Sequence, residues 1–407
     1  MASVIVVDND LKDSIQEYAQ IIDGVTGTSE FSKSIDSHIP KTLDQQLSNK
    51  PELFNKIQKV STAENLRKLT DKEFEPTIYL LIHILSALTS TDSVLNNAQS
   101  PIYHLILTIN PTQPLSLRDR KSIKSSTVLS ILSTIFNLLP KDSKVRIYVV
   151  QEILKVIKTS GVEFSSIQDN VGSNLVNWLN LSNAQESEIK SIFWDFIALD
   201  PLYSLTSLKL IKDFTHRYTV AEQELAKLIE FALRSKVVDV SFLVNNNVAK
   251  ALHASSTTGL SQLFLKYVKG ETIQAQGVPS DLPQEFIHQK SRILSLAKFF
   301  ADSKQSSSHD DIVFSYKEIP LVSSHLEFEK LLVEAIKAGV VEGKLNQIDE
   351  TFSLSRVNRF IIAGDDAVIA QEWENVKVAL QQWSQSISNI DEIVRQTREN
   401  IVNGGAN

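Results

Sequence analysis

The sequence predicts a mostly helical protein that ends in a winged-helix module and one long helix. Three observations carry this prediction. Apolar residues recur at helical spacing over most of the chain, whereas alternating apolar residues are confined to about positions 340–357. A heptad pattern of apolar residues then runs from position 373 towards the C-terminus.

The first region, residues 1–115, is predicted to be helical with interruptions. Leu11, Ile15, Tyr18 and Ile22 form one apolar stripe. The segment 75–88 is apolar almost all round, which is typical of a helix that is buried on every side. We therefore expect this segment to lie between other helices.

Residues 116–285 repeat a simple rhythm of apolar helical stripes separated by short polar breaks. The predicted helices span residues 123–139, 145–157, 171–181, 189–199, 202–214, 220–233, 248–253 and 260–268. Successive helical pairs without strands indicate a right-handed helical-repeat solenoid, in which each pair buries its apolar face on its neighbours. We find no consensus sequence that recurs from one helical pair to the next, so a single irregular helical domain is the alternative.

Residues 286–363 are predicted to form the winged-helix module, beginning with a helix at 286–300. A second helix starts at Ser324, which stands three residues before Glu327 as in a capping box, and it ends at Gly339. Its apolar face consists of Phe328, Leu331, Leu332, Ala335 and Ile336. After Gly339 the spacing alternates, which predicts a β-ribbon with its turn at residues 346–350.

The ribbon is expected to offer a strand edge to another protein, because unpaired backbone groups at a sheet edge can pair with another chain. The residues predicted for this ribbon interface are Val341, Leu345, Phe352, Ser353 and Leu354.

Residues 364–402 are predicted to form one long helix, followed by a disordered tail at 403–407. Its apolar residues are spaced alternately three and four apart, and we call them the seam: Trp373, Val376, Leu380, Trp383, Ile387, Ile390 and Val394. A helix inside a globular core usually shows a wider apolar face. The narrow seam therefore favours partner helices in an intermolecular bundle, and the alternative is that the helix folds back along its own domain.

Composition and charge limit the possible functions. The chain of 407 residues has a net charge of −7 and no cysteine, which excludes disulfides and thiolate chemistry. The N-terminus does not resemble a secretory signal and no segment has the length of a membrane span, so we expect a cytosolic or nuclear protein. Residues 326–363 carry nearly equal numbers of basic and acidic side chains, which argues against dedicated DNA binding.

We find no pattern of residues that indicates catalysis, a cofactor or a metal. The segment 339–345 is one residue short of a phosphate-binding loop and follows a helix instead of a strand. The histidines are scattered and none is paired at metal-ligand spacing. The sequence therefore predicts a protein that is not an enzyme.

Several segments resemble the PCI-domain family, whose members are scaffold subunits of the proteasome lid, the COP9 signalosome and eukaryotic translation initiation factor 3. The resemblance covers residues 124–386, and it is carried by the segments 130–140, 221–252, 289–300, 328–344 and Gln381-Gln382-Trp383. Among the three complexes, these segments are most similar to the initiation factor.

The resemblance implies a non-catalytic scaffold that pairs ribbons side by side with other subunits and places its last helix in a shared bundle. It implies other PCI and MPN subunits as partners, an indirect link to the small ribosomal subunit and mRNA recruitment, and a location in the cytoplasm. The alternatives are a scaffold of the signalosome or the proteasome lid, or an adaptor that reads nucleic acid with its winged helix.

Overall fold

The structure is a computed structural model that describes residues 10–38, 49–111, 122–161, 163–255, 259–305, 312–319, 324–362 and 366–404. The chain divides into two compact units, Met1–Pro201 and Leu202–Asn407. The domain boundaries given above are finer than this division and stay predictions. The predicted tail lies partly outside the described residues, and the last helix reaches Gly404.

The first unit is helical throughout its described part. Its helices are α1 (Leu11–Thr26), α2 (Glu30–Asp36), α3 (Lys50–Val60), α4 (Ala63–Leu66), α5 (Asp71–Leu88), α6 (Thr91–Leu95), α7 (Pro101–Ile109), α8 (Ser125–Leu138), α9 (Val145–Ser160), α10 (Phe164–Ile167), α11 (Ser173–Leu181) and α12 (Glu186–Ile197). A π-helical turn, Gln168–Gly172, leads into α11.

Hydrogen bonds between α5 and α8 show the repeat in this unit. The Oδ1 atom of Asp71 accepts from Thr127 Oγ1 at 2.7 Å, and Tyr79 Oη lies 3.1 Å from Thr134 Oγ1. Because both helices advance in the same direction between these contacts, α5 and α8 run parallel. The buried side chains of α5 occupy several faces, as expected for its nearly uninterrupted apolar sequence.

The next pair of helices continues the arrangement. The rings of Phe136 on α8 and Trp178 on α11 lie 5.2 Å apart, near the C-terminal ends of both helices. Close by, Ser182 Oγ donates to the backbone carbonyl of Lys141. Since α9 and α12 also pack on each other, the helical pairs stack in sequence, which is how a helical repeat buries its apolar faces.

The second unit contains helices, short 3₁₀ turns and one small sheet. Its helices are α13 (Leu205–Arg217), α14 (Glu222–Arg234), α15 (Asn246–Ala254), α16 (Gly259–Val268), α17 (Gln284–Gln305), α18 (His325–Lys337) and α19 (Asp366–Gly404), and its strands are β1 (Ile312–Ser315), β2 (Val341–Asn346) and β3 (Thr351–Val357). The sheet is antiparallel with the order β1-β3-β2.

An aromatic core joins the sheet to α17 and α18. The ring of Phe300 on α17 lies 4.9 Å from the ring of Phe314 on β1 and 5.3 Å from that of Phe352 on β3. Tyr316 contacts Phe328 of α18 in the same way, with 4.8 Å between ring centroids. These contacts make α17, α18 and the sheet one packed winged-helix module.

The cap signals read from the sequence hold at both ends of α18. Ser324 Oγ accepts from the backbone N–H of Glu327 at 3.2 Å, and Gly339 has a φ of +72°, the left-handed conformation that favours glycine. The carboxylate of Glu327 accepts a hydrogen bond from the guanidinium of Arg292 on α17, and this contact joins α18 to α17.

A buried lysine joins α17 to the end of α14. The Nζ atom of Lys290 donates to the backbone carbonyls of Ala232, Leu233 and Ser235, the last at 2.8 Å. It also lies 5.3 Å from the ring centroid of Tyr267 and equally far from that of Phe286. The ammonium thus occupies the position where the last carbonyls of a helix favour a cation.

The structure confirms the predicted fold class, a mostly helical chain with a C-terminal winged-helix region and a long last helix. It adds one strand that the sequence did not reveal, because β1 lies between the two helices predicted for the winged-helix module, where no strand was predicted. The last helix, Asp366–Gly404, has 39 residues, or about 58 Å at 1.5 Å per residue, and it lies two residues further along the chain than predicted.

Candidate partner-binding surfaces

The whole seam lies on the surface of α19. The exposed fractions of Trp373, Leu380 and Trp383 are 69%, 58% and 70%. The other members, Val376, Ile387, Ile390 and Val394, are exposed as well. From Val376 to Ile401 every residue of the helix is exposed. In this structure the helix therefore does not fold back along its own unit.

Two features of α19 were not singled out from the sequence. Ile393 is exposed although it stands off the three-and-four spacing. In addition, residues 379–390 contain no charged side chain, and most of the residues between the seam positions are Gln, Ser or Asn. The absence of flanking charge is visible in the sequence. It means that shape complementarity contributes more than ion pairs to any interface formed by this middle part.

The base of α19 is held by its own unit. Arg359 Nη1 lies 2.5 Å from the carboxylate of Glu372 in the second turn of the helix. A cleft of about 300 Å³ next to this ion pair is lined by Phe360, Ile361 and Val368, among others. The ion pair and the half-buried Ile369 fix the start of α19, and the helix beyond them stands free within the described structure.

The sheet order determines which edge of the ribbon is available. Phe352, Ser353 and Leu354 lie on β3, whose backbone pairs with β1 on one side and β2 on the other. Their backbone groups are thus engaged within this chain, and the side chains of Phe352 and Leu354 lie in the core. Of the two predicted ribbon strands, only β2, which carries Val341 and Leu345, keeps an edge that could pair with another protein.

Strand β2 shows the predicted alternation. Val341 is buried and Leu345 is half-buried, whereas Glu342 and Lys344 are exposed. Between them, Gly343 lies so close to β3 that a Cβ atom there would stand 2.4 Å from the Phe352 ring. The strand is therefore locked to β3 on one side, and no strand among the described residues pairs with its other side.

The outer face of α18 also carries exposed apolar groups. Leu326, Val333 and Ile336 are exposed, and Ile348 in the turn of the ribbon is almost fully exposed. The turn is tied to the helix because Gln347 Nε2 donates to Glu329 at 3.0 Å. The same face also exposes Lys330 and Lys337, so it combines apolar and basic side chains on the helix that contacts DNA in many winged-helix proteins.

An acidic cluster lies beside the first turn of α18. Tyr316 Oη donates to Glu329 Oε1 at 3.2 Å, and His325 Nδ1 is 3.1 Å from Glu350 Oε1. Burial, together with the hydrogen bond to Glu329, raises the pKa of Tyr316 to about 12. On the other side of the ribbon, Arg356 is paired with Glu342 at 2.9 Å. Carboxylates thus lie near several of the polar and basic side chains of this module.

No group of three or more His, Asp and Glu side chains within the described parts of the chain could hold a metal ion. Among the same residues, no helix combines the length and the apolar character that crossing a membrane requires.

Helical pairs, a winged helix and a free apolar helix together define a class of protein whose exposed surfaces are suited to binding other proteins. No model of a known protein family matches the chain. Individual proteins do resemble it, and the three reported next share one name.

The chain is 24% identical to the eukaryotic translation initiation factor 3 subunit M of Aspergillus oryzae, and the match covers 98% of this chain and 88% of that protein. It is also 24% identical to the subunit M of Aspergillus terreus, over 98% of this chain and 89% of that protein. The subunit M of Emericella nidulans is 26% identical over 89% of this chain and 80% of its own length. This name agrees with the expectation from the sequence that the segments named above resemble the initiation factor.

Proposed function

We propose that this protein is a non-catalytic scaffold subunit of eukaryotic translation initiation factor 3. The observation that carries the proposal is the free seam of α19, in a chain that is similar over nearly its whole length to proteins named as subunit M of that factor. An exposed helix of this length needs a partner surface, and a multi-subunit complex provides one.

The energetics of the seam support assembly with other helices. Fully burying a large aliphatic or aromatic side chain contributes about 1.5–3 kcal/mol. The seam has seven such side chains, including two tryptophans, the residue type most enriched at interface hot spots. Within a bundle of C-terminal helices these side chains would leave water, whereas in a single chain they are exposed.

The free edge of β2 gives a second contact. A strand from a neighbouring winged helix can add to it through backbone hydrogen bonds. A proline substitution in the ribbon, for example Ser353→Pro, would also break the pairing of β3 within this chain, so hydrogen exchange tests this contact better than mutation does. We expect the β2 amides that face away from β3 to exchange more slowly in the assembled complex than in the free chain.

The partners proposed are other PCI and MPN subunits of the same complex. Contact with the small ribosomal subunit and support of mRNA recruitment would be indirect, through these subunits, and the site of action would be the cytoplasm. A nucleic-acid adaptor is the less favoured function because residues 326–363 carry nearly equal numbers of basic and acidic side chains and Arg356 is already paired. A scaffold of the signalosome or the proteasome lid would use the same surfaces, and the identity of the recovered subunits separates it from the proposal.

The test is affinity purification of the tagged full-length chain from its own cells, with mass spectrometry of the proteins recovered. We expect initiation factor 3 subunits with the wild-type chain and their loss with Trp383→Ala/Leu380→Ala, because truncations at packed apolar sites cost roughly 2–5 kcal/mol each. Val378→Ala is the matched control, since Val378 is exposed on the same helix but outside the seam. Recovery of signalosome, proteasome-lid, chromatin or export factors without initiation factor subunits would contradict the proposal.

A further inference from the structure

We propose that the free chain covers its seam with a second copy of itself, through an antiparallel pair of α19 helices. The proposal goes beyond the proposed function, because it concerns the chain outside any complex. It starts from the ends of the helix. Asp366–Gly404 can overlap completely with a second copy when Asp366 of one lies opposite Gly404 of the other.

In this register the large seam residues meet smaller or branched ones. In an antiparallel pair, the a positions of one helix face the d positions of the other. Trp373, Leu380, Ile387 and Val394 occupy a, and Val376, Trp383, Ile390 and Thr397 occupy d. The resulting pairs are Trp373 with Thr397, Val376 with Val394, Leu380 with Ile390, and Trp383 with Ile387 of the second copy, each formed twice.

The same register explains Ile393, which stands outside the seam. Ile393 and Ala379 both occupy g positions, and g positions lie beside each other in an antiparallel pair. The exposed Ile393 of one copy would therefore cover Ala379 of the other. A large apolar residue and a small one fill this flank of the seam, where most helices carry charged side chains.

Charge selects this register over its neighbours. The e positions lie beside each other on the opposite flank, and the register places Lys377 next to Asp391 of the second copy, twice. Sliding by one heptad brings Lys377 next to Ser384 in one direction and next to Arg398 in the other. Asp391 forms no ion pair within the described part of the chain, and Lys377 lies 2.9 Å from Glu374 on the exposed surface.

A parallel pair of the same helices is less favourable. It would stack Trp373 on Trp373 and Trp383 on Trp383, and overfilled layers cost about 1–3 kcal/mol. In a parallel pair, Lys377 would have to pair with Glu372 of the second copy, but Glu372 is already bound to Arg359. The antiparallel pair also sets the helix dipoles in opposite directions, which is the favourable arrangement.

The first experiment measures the mass of the purified full-length chain by sedimentation over a concentration series. We expect a monomer–dimer equilibrium that Leu380→Glu abolishes and that Val378→Ala, outside the seam, leaves unchanged. A wild-type chain that stays monomeric at all concentrations would overturn the proposal. Because the purified chain is measured alone, this result is independent of which complex the chain joins.

The second experiment fixes direction and register with disulfides, which is possible because the chain contains no cysteine. A disulfide requires Cα atoms within about 7 Å of each other. We expect a mixture of Leu380→Cys and Ile390→Cys chains to form a cross-linked dimer, and neither variant to do so alone. Cross-linking of either variant by itself indicates a parallel pair and overturns the proposal, as does a mixture that does not cross-link.

The third experiment reverses the ion pair. Lys377→Glu should raise the dimer dissociation constant roughly threefold to tenfold, because an exposed attraction becomes a repulsion at two places. The double variant Lys377→Glu/Asp391→Lys should restore wild-type affinity. A double variant that binds no more tightly than the single variant would exclude the register.

Discussion

Helices α18 and α19 carry similar apolar stripes, but the stripe of α18 is mainly buried and that of α19 is exposed. Phe328, Leu331 and Leu332 of α18 are buried against α17 and the sheet, whereas Trp373, Leu380 and Trp383 of α19 are exposed. The width of the stripe distinguishes the two. The stripe of α18 has three to four apolar positions in two turns, and the seam of α19 has only the a and d positions. An apolar stripe therefore predicts burial, and its width indicates whether the covering surface belongs to the same chain.

The largest effect is expected from the same truncation made in both helices. Leu332→Ala should lower the unfolding free energy by about 2–5 kcal/mol, because it opens a cavity in the winged-helix core. Leu380→Ala should change it by less than about 0.5 kcal/mol, as is usual for exposed positions. Urea unfolding at concentrations where the chain is monomeric measures both. Equal losses would show that α19 is part of the protein's own core.

Much of the fold was readable because its signals are local. Ser324 and Gly339 mark the ends of α18 through hydrogen bonds and a backbone angle that involve only neighbouring residues. The narrow spacing of the seam also favoured an exposed helix, although folding back along its own domain was the alternative. Strand β1 was missed because its four residues gain their strand character from pairing with β3, about forty residues away in sequence.

The missed strand explains why residues of the central strand β3 were predicted to belong to the ribbon interface. Without β1, both edges of a two-stranded ribbon are open, and residues on either strand are candidates for pairing with a neighbour. With β1 in place, Phe352 and Leu354 belong to a central strand and to the core. Of the two ribbon strands, β2 is the one whose outer side pairs with no strand among the described residues, and no local pattern in the sequence distinguishes β2 from β3.

The second effect, somewhat smaller, concerns the packing of β2 on β3. Gly343→Ala places a Cβ atom 2.4 Å from the Phe352 ring and equally close to the Ser353 carbonyl oxygen. Relief of this contact requires shifts of the core, which we expect to lower the unfolding free energy by about 1–3 kcal/mol. Gly277→Ala is the control in the same unit, since no atom lies within 4 Å of its added Cβ. If the two variants melt at the same temperature, β2 is not locked to β3 as described.

The third effect is a gradual change of stability with pH, and it compares a buried lysine on α17 with an exposed lysine on α19. Lys290 on α17 is buried, and burial lowers its pKa from 10.5 to about 7, whereas Lys377 on α19 is exposed. Between about pH 7 and 10.5 the unfolded chain therefore binds more protons at this side chain than the folded chain does. Stability must rise with pH across this window, by at most about 1.4 kcal/mol per pH unit for one group.

Lys290→Met removes this contribution. The unfolding free energy of the wild-type chain relative to the variant should increase between pH 7 and pH 9 and stay constant below pH 7, where the lysine is protonated in both states. Urea unfolding of both proteins at each pH gives the difference, and groups common to both cancel. Lys377→Met controls for the loss of a positive charge and should show no such increase. A pH-independent difference between the wild-type chain and Lys290→Met would mean that the three carbonyls and two aromatic rings around Lys290 hold it charged throughout this range.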